Sequence, residues 1–208
     1  MKLGVVMDPI ESINFKKDST LAMMLEAQAR DHQLFYMTPD SLYLNENGAH
    51  ALVNTITVKN NPMGWFEYKE KKQIRLSELD VILMRQDPPF NSNFIYNTYV
   101  LESAEREGVL VINKPASLRD CNEKVFATEF PECCTPFLVS SEASLLKSFI
   151  EDHKDTVIKP LDGMGGSSIF RLRNTDPNLN VILETITDSF ITKVMIQTYI
   201  PEITDGDK

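Results

Sequence analysis

A lysine followed by a glycine-rich turn is the feature of this sequence best suited to chemistry. In the segment 156-TVIKPLDGMGGSSIFRL-172, Lys159 precedes Gly163, Met164, Gly165 and Gly166, and apolar stretches that predict strands lie on either side. Glycines let another group approach the backbone closely, and successive N–H groups in such a turn can form a concave site for an anion. The pattern indicates a phosphate site with Lys159 as its counter-charge. A tight hairpin that uses its glycines only for turn geometry is the alternative.

The order of these residues separates the turn from two common phosphate motifs. A P-loop ends in Gly-Lys-Ser/Thr at the start of a helix, and a dinucleotide-binding turn has G-x-G-x-x-G between a strand and a helix. Here the lysine precedes the glycines and a predicted strand follows them. This order favours a hairpin that closes over phosphates, as the glycine-rich loop of protein kinases does, although the other kinase motifs are absent from the sequence.

Two further segments could complete a nucleotide site. The apolar segment 193-KVMIQTYIPEI-203 predicts a strand that could offer backbone groups to the edge of an adenine and an apolar surface to its face. Lys124, in 119-RDCNEKVF-126, lies early in a helix predicted over residues 122–130, where it could reach a phosphate. A plain core strand and a solvated surface lysine are the respective alternatives.

The first half of the chain predicts an α/β fold that positions polar residues at strand ends. Short apolar runs at 3–7, 80–85 and 109–113 alternate with predicted helices, which favours a parallel sheet. Ligands of such sheets bind beyond the carboxyl ends of the strands, where Asp8 and Arg85 lie. From about residue 117 the order of elements favours an α+β unit instead, so two domains are predicted, at 1–120 and 121–208.

Composition and charge narrow the class of protein. Acidic residues outnumber basic ones by 30 to 21, which argues against a general attraction to nucleic acid or to an anionic membrane. No apolar run approaches the length of a membrane span. Cys133 and Cys134 are adjacent and the cysteine count is odd, which favours free thiols and a cytoplasmic protein.

Taken together, the segments resemble a known family. The lysine–glycine turn, Lys124 and the segment 196-IQTYIPEI-203 resemble the ATP-grasp superfamily of carboxylate-amine ligases. With 5-VVMDPIESINFKKDST-20, 80-DVILMRQDPPF-90 and 113-NKPASLRDCNEK-124, nearly the whole chain is similar to the bacterial glutathione synthetase family. The resemblance implies a Rossmann-like pre-ATP-grasp domain followed by the α+β ATP-binding subdomain of an ATP-grasp fold, with the second half of that domain expected beyond residue 208.

The resemblance also implies an activity. The family joins γ-glutamylcysteine to glycine with ATP and Mg²⁺, through an acyl-phosphate, and its members form homo-oligomers. The magnesium ligands are expected beyond residue 208, so no metal ligand and no catalytic side chain is assigned within this chain. A catalytically incomplete nucleotide-binding or assembly module, and an ATP-grasp ligase for another acid and amine, are the alternative functions.

The resemblance assigns binding residues by position. For ATP it implies Lys124, Lys159, Gly163, Met164, Gly165, Gly166, Gln197, Tyr199, Ile200 and Asp207. For the peptide substrate, or for a subunit contact, it favours Arg85 first, with Asp8 and Asn14 as weaker candidates. Loop capping is the alternative role for these three residues.

Overall fold

The computed structural model describes residues 1–206, which fall into two compact units, Met1–Asp120 and a second that begins at Cys121. The first unit has seven strands and three α-helices: β1 (Lys2–Met7), α1 (Ser19–Ala29), β2 (Gln33–Met37), β3 (Leu42–Asn45), β4 (Gly48–Val58), β5 (Phe66–Arg75), β6 (Val81–Arg85), α2 (Ser92–Arg106), β7 (Leu110–Ile112) and α3 (Pro115–Asp120). Its strands form one sheet in the order β3-β4-β2-β1-β6-β7, with β5 paired to β4.

The central strands of this sheet are buried on both faces. Along β1, Val5 belongs to the same core cluster as Met24 of α1, whereas Val6 belongs to the cluster that contains Leu101 of α2. Side chains of a strand alternate between faces, so a strand with a helix on each side must be apolar at nearly every position. This is why β1 is a continuous apolar run in the sequence.

The sheet is mixed rather than parallel throughout. The pairs β1–β2, β1–β6 and β6–β7 are parallel, as the alternation of strands and helices predicts. Strand β4 instead runs antiparallel to β2, β3 and β5. Only two residues separate β3 from β4, which is enough for a hairpin but too short for the crossover that a parallel pair needs.

Most of strand β5 lies within residues 60–72, for which the sequence pattern predicts no clear element. Its sequence, FEYKEKKQIR, is mostly charged, and Ile74 is its one buried residue. Such a strand carries no alternation of apolar and polar residues, because its side chains lie largely in solvent. The sequence pattern also predicts a helix from about Asn97 to Glu107. In the structure, helix α2 begins earlier, at Ser92, because Asn91 Oδ1 accepts a hydrogen bond from Phe94 N at 3.1 Å and caps it.

The second unit is an antiparallel sheet with helices on one face. Its elements are β8 (Phe137–Ser140), α4 (Ala143–His153), β9 (Asp155–Pro160), β10 (Phe170–Arg173), α5 (Leu179–Ile186) and β11 (Val194–Thr198), and the strand order is β10-β9-β11-β8. Ile158 and Ile196 pack with Leu146 of α4 and Leu183 of α5. Lys159, the next residue along β9, therefore points to the opposite face of the sheet.

The helix predicted over residues 122–130 is not formed. Residues 123–125 are a turn, followed by two short 3₁₀ segments, Phe126–Glu129 and Pro131–Cys133. The Asn122 side chain accepts hydrogen bonds from the backbone N–H groups of Lys124 and Val125, at 3.0 and 3.1 Å, and such local bonds compete with a helix. Lys124 thus lies in a turn. Across the described residues, no helix has the length and apolar character needed to cross a membrane.

The core of the first unit provides a test of this fold. Leu101 is fully buried on α2, whereas Leu52 on β4 is 46% exposed. We expect Leu101→Ala to lower the free energy of unfolding by about 2–5 kcal/mol, because it removes buried methyl groups and leaves a cavity. Urea denaturation followed by circular dichroism would measure the change.

The matched control is Leu52→Ala, the same chemical change at an exposed site, which we expect to alter the free energy by about 0.5 kcal/mol or less. Equal losses from the two variants would contradict the burial of α2 described above.

Candidate functional site

The sequence-predicted lysines and glycines line one cleft in the second unit. This lysine–glycine cleft has a volume of about 360 Å³ and lies on the face of the sheet opposite the helices. Residues from the turn, the following 3₁₀ segment, β9, the glycine loop and β11 line it: Glu123, Lys124, Ala127, Lys159, Gly163, Met164, Gly165, Gly166, Ile169, Met195 and Gln197. The cleft is within the size range of small-molecule sites.

Lys159 is placed in the cleft by strand pairing. It lies opposite Met195 in the antiparallel register of β9 and β11, so its side chain shares a face with Met195 and Gln197. Burial lowers the pKa of Lys159, and the nearby charge of Lys124 lowers it further. A half-buried ammonium with a like charge beside it is stabilised by an anion, because the anion supplies the missing counter-charge.

Lys124 reaches the same cleft from the preceding turn. Its side chain is 9% exposed, and its Nζ donates a hydrogen bond of 2.7 Å to the carbonyl oxygen of Gly163. The ammonium also forms an ion pair of 2.6 Å with Glu123, whose side chain is 71% exposed. Asn122, which sequence reasoning did not select, adds a bond of 3.0 Å from Nδ2 to the carbonyl oxygen of Leu161. The turn and the start of the glycine loop (residues 163–166) are thus joined.

Two kinds of constraint explain the glycines of this loop. A Cβ at Gly163 would lie 2.6 Å from Cγ of Pro160, so the position has no room for a side chain. Gly165 and Gly166 have open space around them but φ values of +66° and +79°, in the left-handed region that L-residues rarely adopt. Backbone N–H groups in such conformations can point together toward an anion.

Of the four residues predicted for ATP in and after β11, one lines the cleft, two do not, and one cannot be placed. Tyr199 and Ile200, here called the exit segment, follow β11 directly, and neither is among the lining residues. Asp207 lies outside the described residues. Gln197 is the residue of this group that lines the cleft itself.

A charged cluster beside the exit segment was missed from the sequence. Asp155, at the start of β9, receives a bidentate pair of hydrogen bonds from Arg171, at 2.7 Å to Oδ1 and 2.6 Å to Oδ2. Arg173 donates two more, at 3.1 and 2.9 Å, both to Oδ2. These bonds, those of Arg171 foremost, lower the pKa of Asp155 to about 2. The guanidinium of Arg171 also lies over the ring of Tyr199, 3.6 Å from its centroid. The one sequence signal was the spacing of the two arginines, which puts both on one face of a strand.

In the first unit, Arg85 and Asp8 lie at neighbouring strand ends and bond to the protein itself. Arg85 donates to the hydroxyl groups of Ser19 and Thr20 at the start of α1, at 3.0 and 3.1 Å. Asp8 Oδ2 accepts a hydrogen bond of 2.8 Å from Asp87 N. These partners fit the loop-capping alternative, and a substrate role for either residue stays a prediction.

Asn14 lies in the loop between β1 and α1, where its side chain accepts a hydrogen bond of 3.2 Å from Lys16 N. The same loop is held by Trp65, whose Nε1 donates to the carbonyl oxygen of Ile10 at 3.0 Å, and by Tyr68, which donates to Glu11 at 2.8 Å. Asn14 therefore has a turn-forming role, while its part in binding stays a prediction.

Comparison with known proteins identifies the family of this chain. Residues 1–119 match the family model for the N-terminal domain of prokaryotic glutathione synthetase, and residues 123–208 match the model for its ATP-grasp domain. The chain belongs to the prokaryotic glutathione synthetase family. The resemblance inferred from the sequence is thereby confirmed.

Curated members of the glutathione synthetase family are similar along the whole chain. The glutathione synthetase of Pseudomonas putida is 56% identical over all 208 residues, which correspond to 66% of that protein. The glutathione synthetase of Vibrio cholerae is 54% identical, again over the whole chain and over 65% of its own length. The chain thus spans about 66% of the length of the curated relatives it matches.

Solved structures confirm the ATP-grasp fold expected of a glutathione synthetase. An ATP-grasp RimK domain protein from Sphaerobacter thermophilus has a TM-score of 0.61 at 14% identity, over 97% of this chain and 64% of that one. The D-cycloserine synthetase DcsG also has a TM-score of 0.61, at 11% identity, over 97% of this chain and 60% of its own. At such identities the likeness concerns the fold alone.

The lowered pKa of Asp155 gives a test of the charged cluster. A carboxylate whose pKa falls from 3.8 to about 2 on folding adds stability that is present above pH 3.8 and is lost as the pH falls toward 2. We expect Asp155→Asn to cost about 1 kcal/mol at pH 7, since its ion pairs are partly exposed, and the difference from wild type to shrink between pH 4 and 2. Urea denaturation at several pH values would measure it.

The control is Asp152→Asn on α4, because Asp152 is exposed and forms no ion pair among the described residues. We expect no comparable loss from it. A cost for Asp155→Asn that does not change with pH would show that its arginine pairs do not stabilise the fold.

Proposed function

We propose that the full-length protein that carries this chain is a glutathione synthase. It joins γ-glutamylcysteine to glycine at the expense of ATP, and it releases glutathione, ADP and phosphate. The supporting observation is that two lysines and a glycine loop meet in one cleft, within a chain of the prokaryotic glutathione synthetase family. The names of the curated relatives supply the substrate class.

The two parts of the chain have separate tasks in this proposal. Residues 1–120 are the substrate-binding, pre-ATP-grasp domain, and residues 121–208 are the first half of the ATP-grasp domain. In the second, Lys124, Lys159 and the glycine loop hold the phosphates, while Gln197, Tyr199 and Ile200 border the adenine. The resemblance assigns Asp207 to the same nucleotide site. In the first, Arg85 binds the peptide, with weaker contributions from Asp8 and Asn14.

The chemistry is mainly electrostatic. A carboxylate oxygen of the peptide attacks the γ-phosphorus, and the bond from that phosphorus to the bridging oxygen of ADP breaks. The glycine amine then attacks the acyl carbon, loses a proton, and phosphate departs. The first step brings two anions together, so positive charge must offset their repulsion. Lys124 supplies that charge from the turn and Lys159 from β9, and the N–H groups of the glycine loop add oriented dipoles. No nucleophilic side chain is required.

Magnesium, which the family uses with ATP, has no evident binding site in this part of the protein. Within residues 1–206, no group of three or more His, Cys, Asp or Glu side chains is placed to hold a metal ion. We assign no step of the reaction to a metal held by these residues. Its ligands are proposed to lie in the part of the relatives that this chain does not span.

The cellular location and the oligomeric state of the protein are also part of the proposal. All three cysteines are free thiols, which favours a reducing compartment, and we assign the protein to the cytoplasm. We further propose a homo-oligomer, as the family resemblance implies. Analytical ultracentrifugation of the full-length protein would test the second point.

A coupled assay tests the function directly. The full-length protein should release ADP and form tripeptide only when ATP, γ-glutamylcysteine and glycine are all present. Preferential use of another acid or amine in a competition assay would show a different ATP-grasp ligase. Nucleotide binding without turnover under all conditions would show a binding or assembly module.

The cleft lysines give a prediction for this assay. We expect Lys124→Gln and Lys159→Gln each to lower kcat/KM for ATP by about 10- to 100-fold, the size of a lost hydrogen bond between charged groups. The control is Lys147→Gln, a change of the same charge on the exposed face of α4. An equal loss in the control, or no loss in the cleft variants, would contradict the proposed phosphate site.

The glycine loop gives a second prediction. Gly166→Ala places a side chain at φ +79°, a conformation that costs an L-residue about 1–2 kcal/mol. We expect the loop to shift and the KM for ATP to rise, with a smaller effect on the KM for glycine. The control is Gly64→Ala, where a Cβ meets nothing within 4 Å and φ is not in the left-handed region. Steady-state kinetics of both variants would measure the two KM values. An unchanged KM for ATP in Gly166→Ala, or an equal rise in Gly64→Ala, would contradict the proposed role of the glycine loop.

A further inference from the structure

The hairpin formed by β9 and β10 carries a second polar feature at the end away from the glycine loop. The glycine loop lies within the segment that connects Pro160 of β9 to Phe170 of β10, whereas Asp155 lies at the opposite end of the hairpin and pairs in register with Arg173. Arg171 pairs in register with Val157, on the face of the sheet that also carries Lys159. The hairpin thus connects the glycine loop with the Asp155 cluster through two short strands.

The exit segment contacts this cluster at two points. The pairing of β11 with β9 ends at Thr198, opposite Thr156. Beyond that point, Tyr199 N donates a hydrogen bond of 3.0 Å to the backbone carbonyl oxygen of Asp155. The ring of Tyr199 lies under the Arg171 guanidinium at 3.6 Å, and the Asp155 carboxylate holds that guanidinium by two hydrogen bonds. One aspartate therefore binds the exit segment through its backbone and, by way of Arg171, through the tyrosine ring.

We propose that Arg171 and Asp155 are positioning residues for nucleotide binding, which act by holding the backbone of Tyr199 and Ile200 in place. This inference rests on the proposed function, in which the exit segment borders the adenine. A backbone edge discriminates between bases only when its N–H and C=O groups are held at fixed positions, because hydrogen bonds weaken steeply with misalignment. Arg171 therefore contributes to the choice of ATP over GTP without touching the nucleotide.

Arg173 provides a matched control on the same strand. It bonds to the same carboxylate as Arg171, and both arginine side chains are partly exposed, at 59% and 44%. Among the described residues, only Arg171 of the two lies over the Tyr199 ring. Loss of either arginine weakens the ion-pair cluster, but only loss of Arg171 uncovers the tyrosine.

The test compares variants of the full-length protein. We expect Arg171→Ala to raise the KM for ATP by about two- to fivefold, the size of a partly exposed cation–π contact, with kcat and the KM for glycine little changed. The ratio of kcat/KM for ATP to that for GTP should fall in the same variant. Arg173→Ala should leave both values near wild type. Arg171→Lys, which keeps the charge but lacks the planar guanidinium, should behave as an intermediate.

A double-variant cycle separates positioning from a general loss of structure. In a Tyr199→Leu background, Arg171→Ala should add no further change in the KM for ATP, because the contact is already lost. Additive effects, equal effects of the two arginine variants, or an unchanged ATP-to-GTP ratio would overturn this inference and leave the proposed function intact. A wild-type protein that binds no ATP in isothermal titration would overturn both.

Discussion

The alternation of side chains along β9 and β11 is the constraint on which the second unit depends. Every second residue, such as Ile158 and Ile196, packs beneath the helices, so the residues between them must face away from the core. Lys159, Met195 and Gln197 occupy those positions and line the cleft. Hydrophobic packing on one face thereby fixes the direction of a lysine on the other, and a shift of one residue in strand register would place Lys159 inside the core.

The cleft was predictable because its strongest signals are local in sequence. A lysine at a strand end and three glycines in four residues are visible without knowledge of the fold, and they lie together in the structure. Lys124 was also identified, but its predicted helix was wrong, because the side chain of Asn122 bonds to the backbone and closes a turn instead. The resemblance placed the residue in the site although its local structure was misjudged.

The contacts that sequence reasoning missed depend on register and on side chains distant in the chain. Asp155 and Arg171 are 16 residues apart, and they meet only because the loop between β9 and β10 sets one particular pairing. For charged residues at strand ends, the position was predictable from the sequence but the hydrogen-bond partners were not. Arg85 and Asp8 were correctly predicted at the carboxyl ends of strands, but their bonds to α1 and to the backbone of Asp87 could not be deduced from their spacing.

If Lys124 holds a phosphate as proposed, its bond to Gly163 has a consequence for nucleotide binding. Because the ammonium already holds a backbone carbonyl at 2.7 Å, an arriving phosphate exchanges one partner for another instead of meeting a free charge. The gain in free energy is then the difference between the two bonds, which is smaller than the strength of either. The same exchange operates in reverse, since the carbonyl is ready to accept the lysine as a nucleotide leaves. In the proposed site, this bond therefore lowers the affinity of Lys124 for a phosphate.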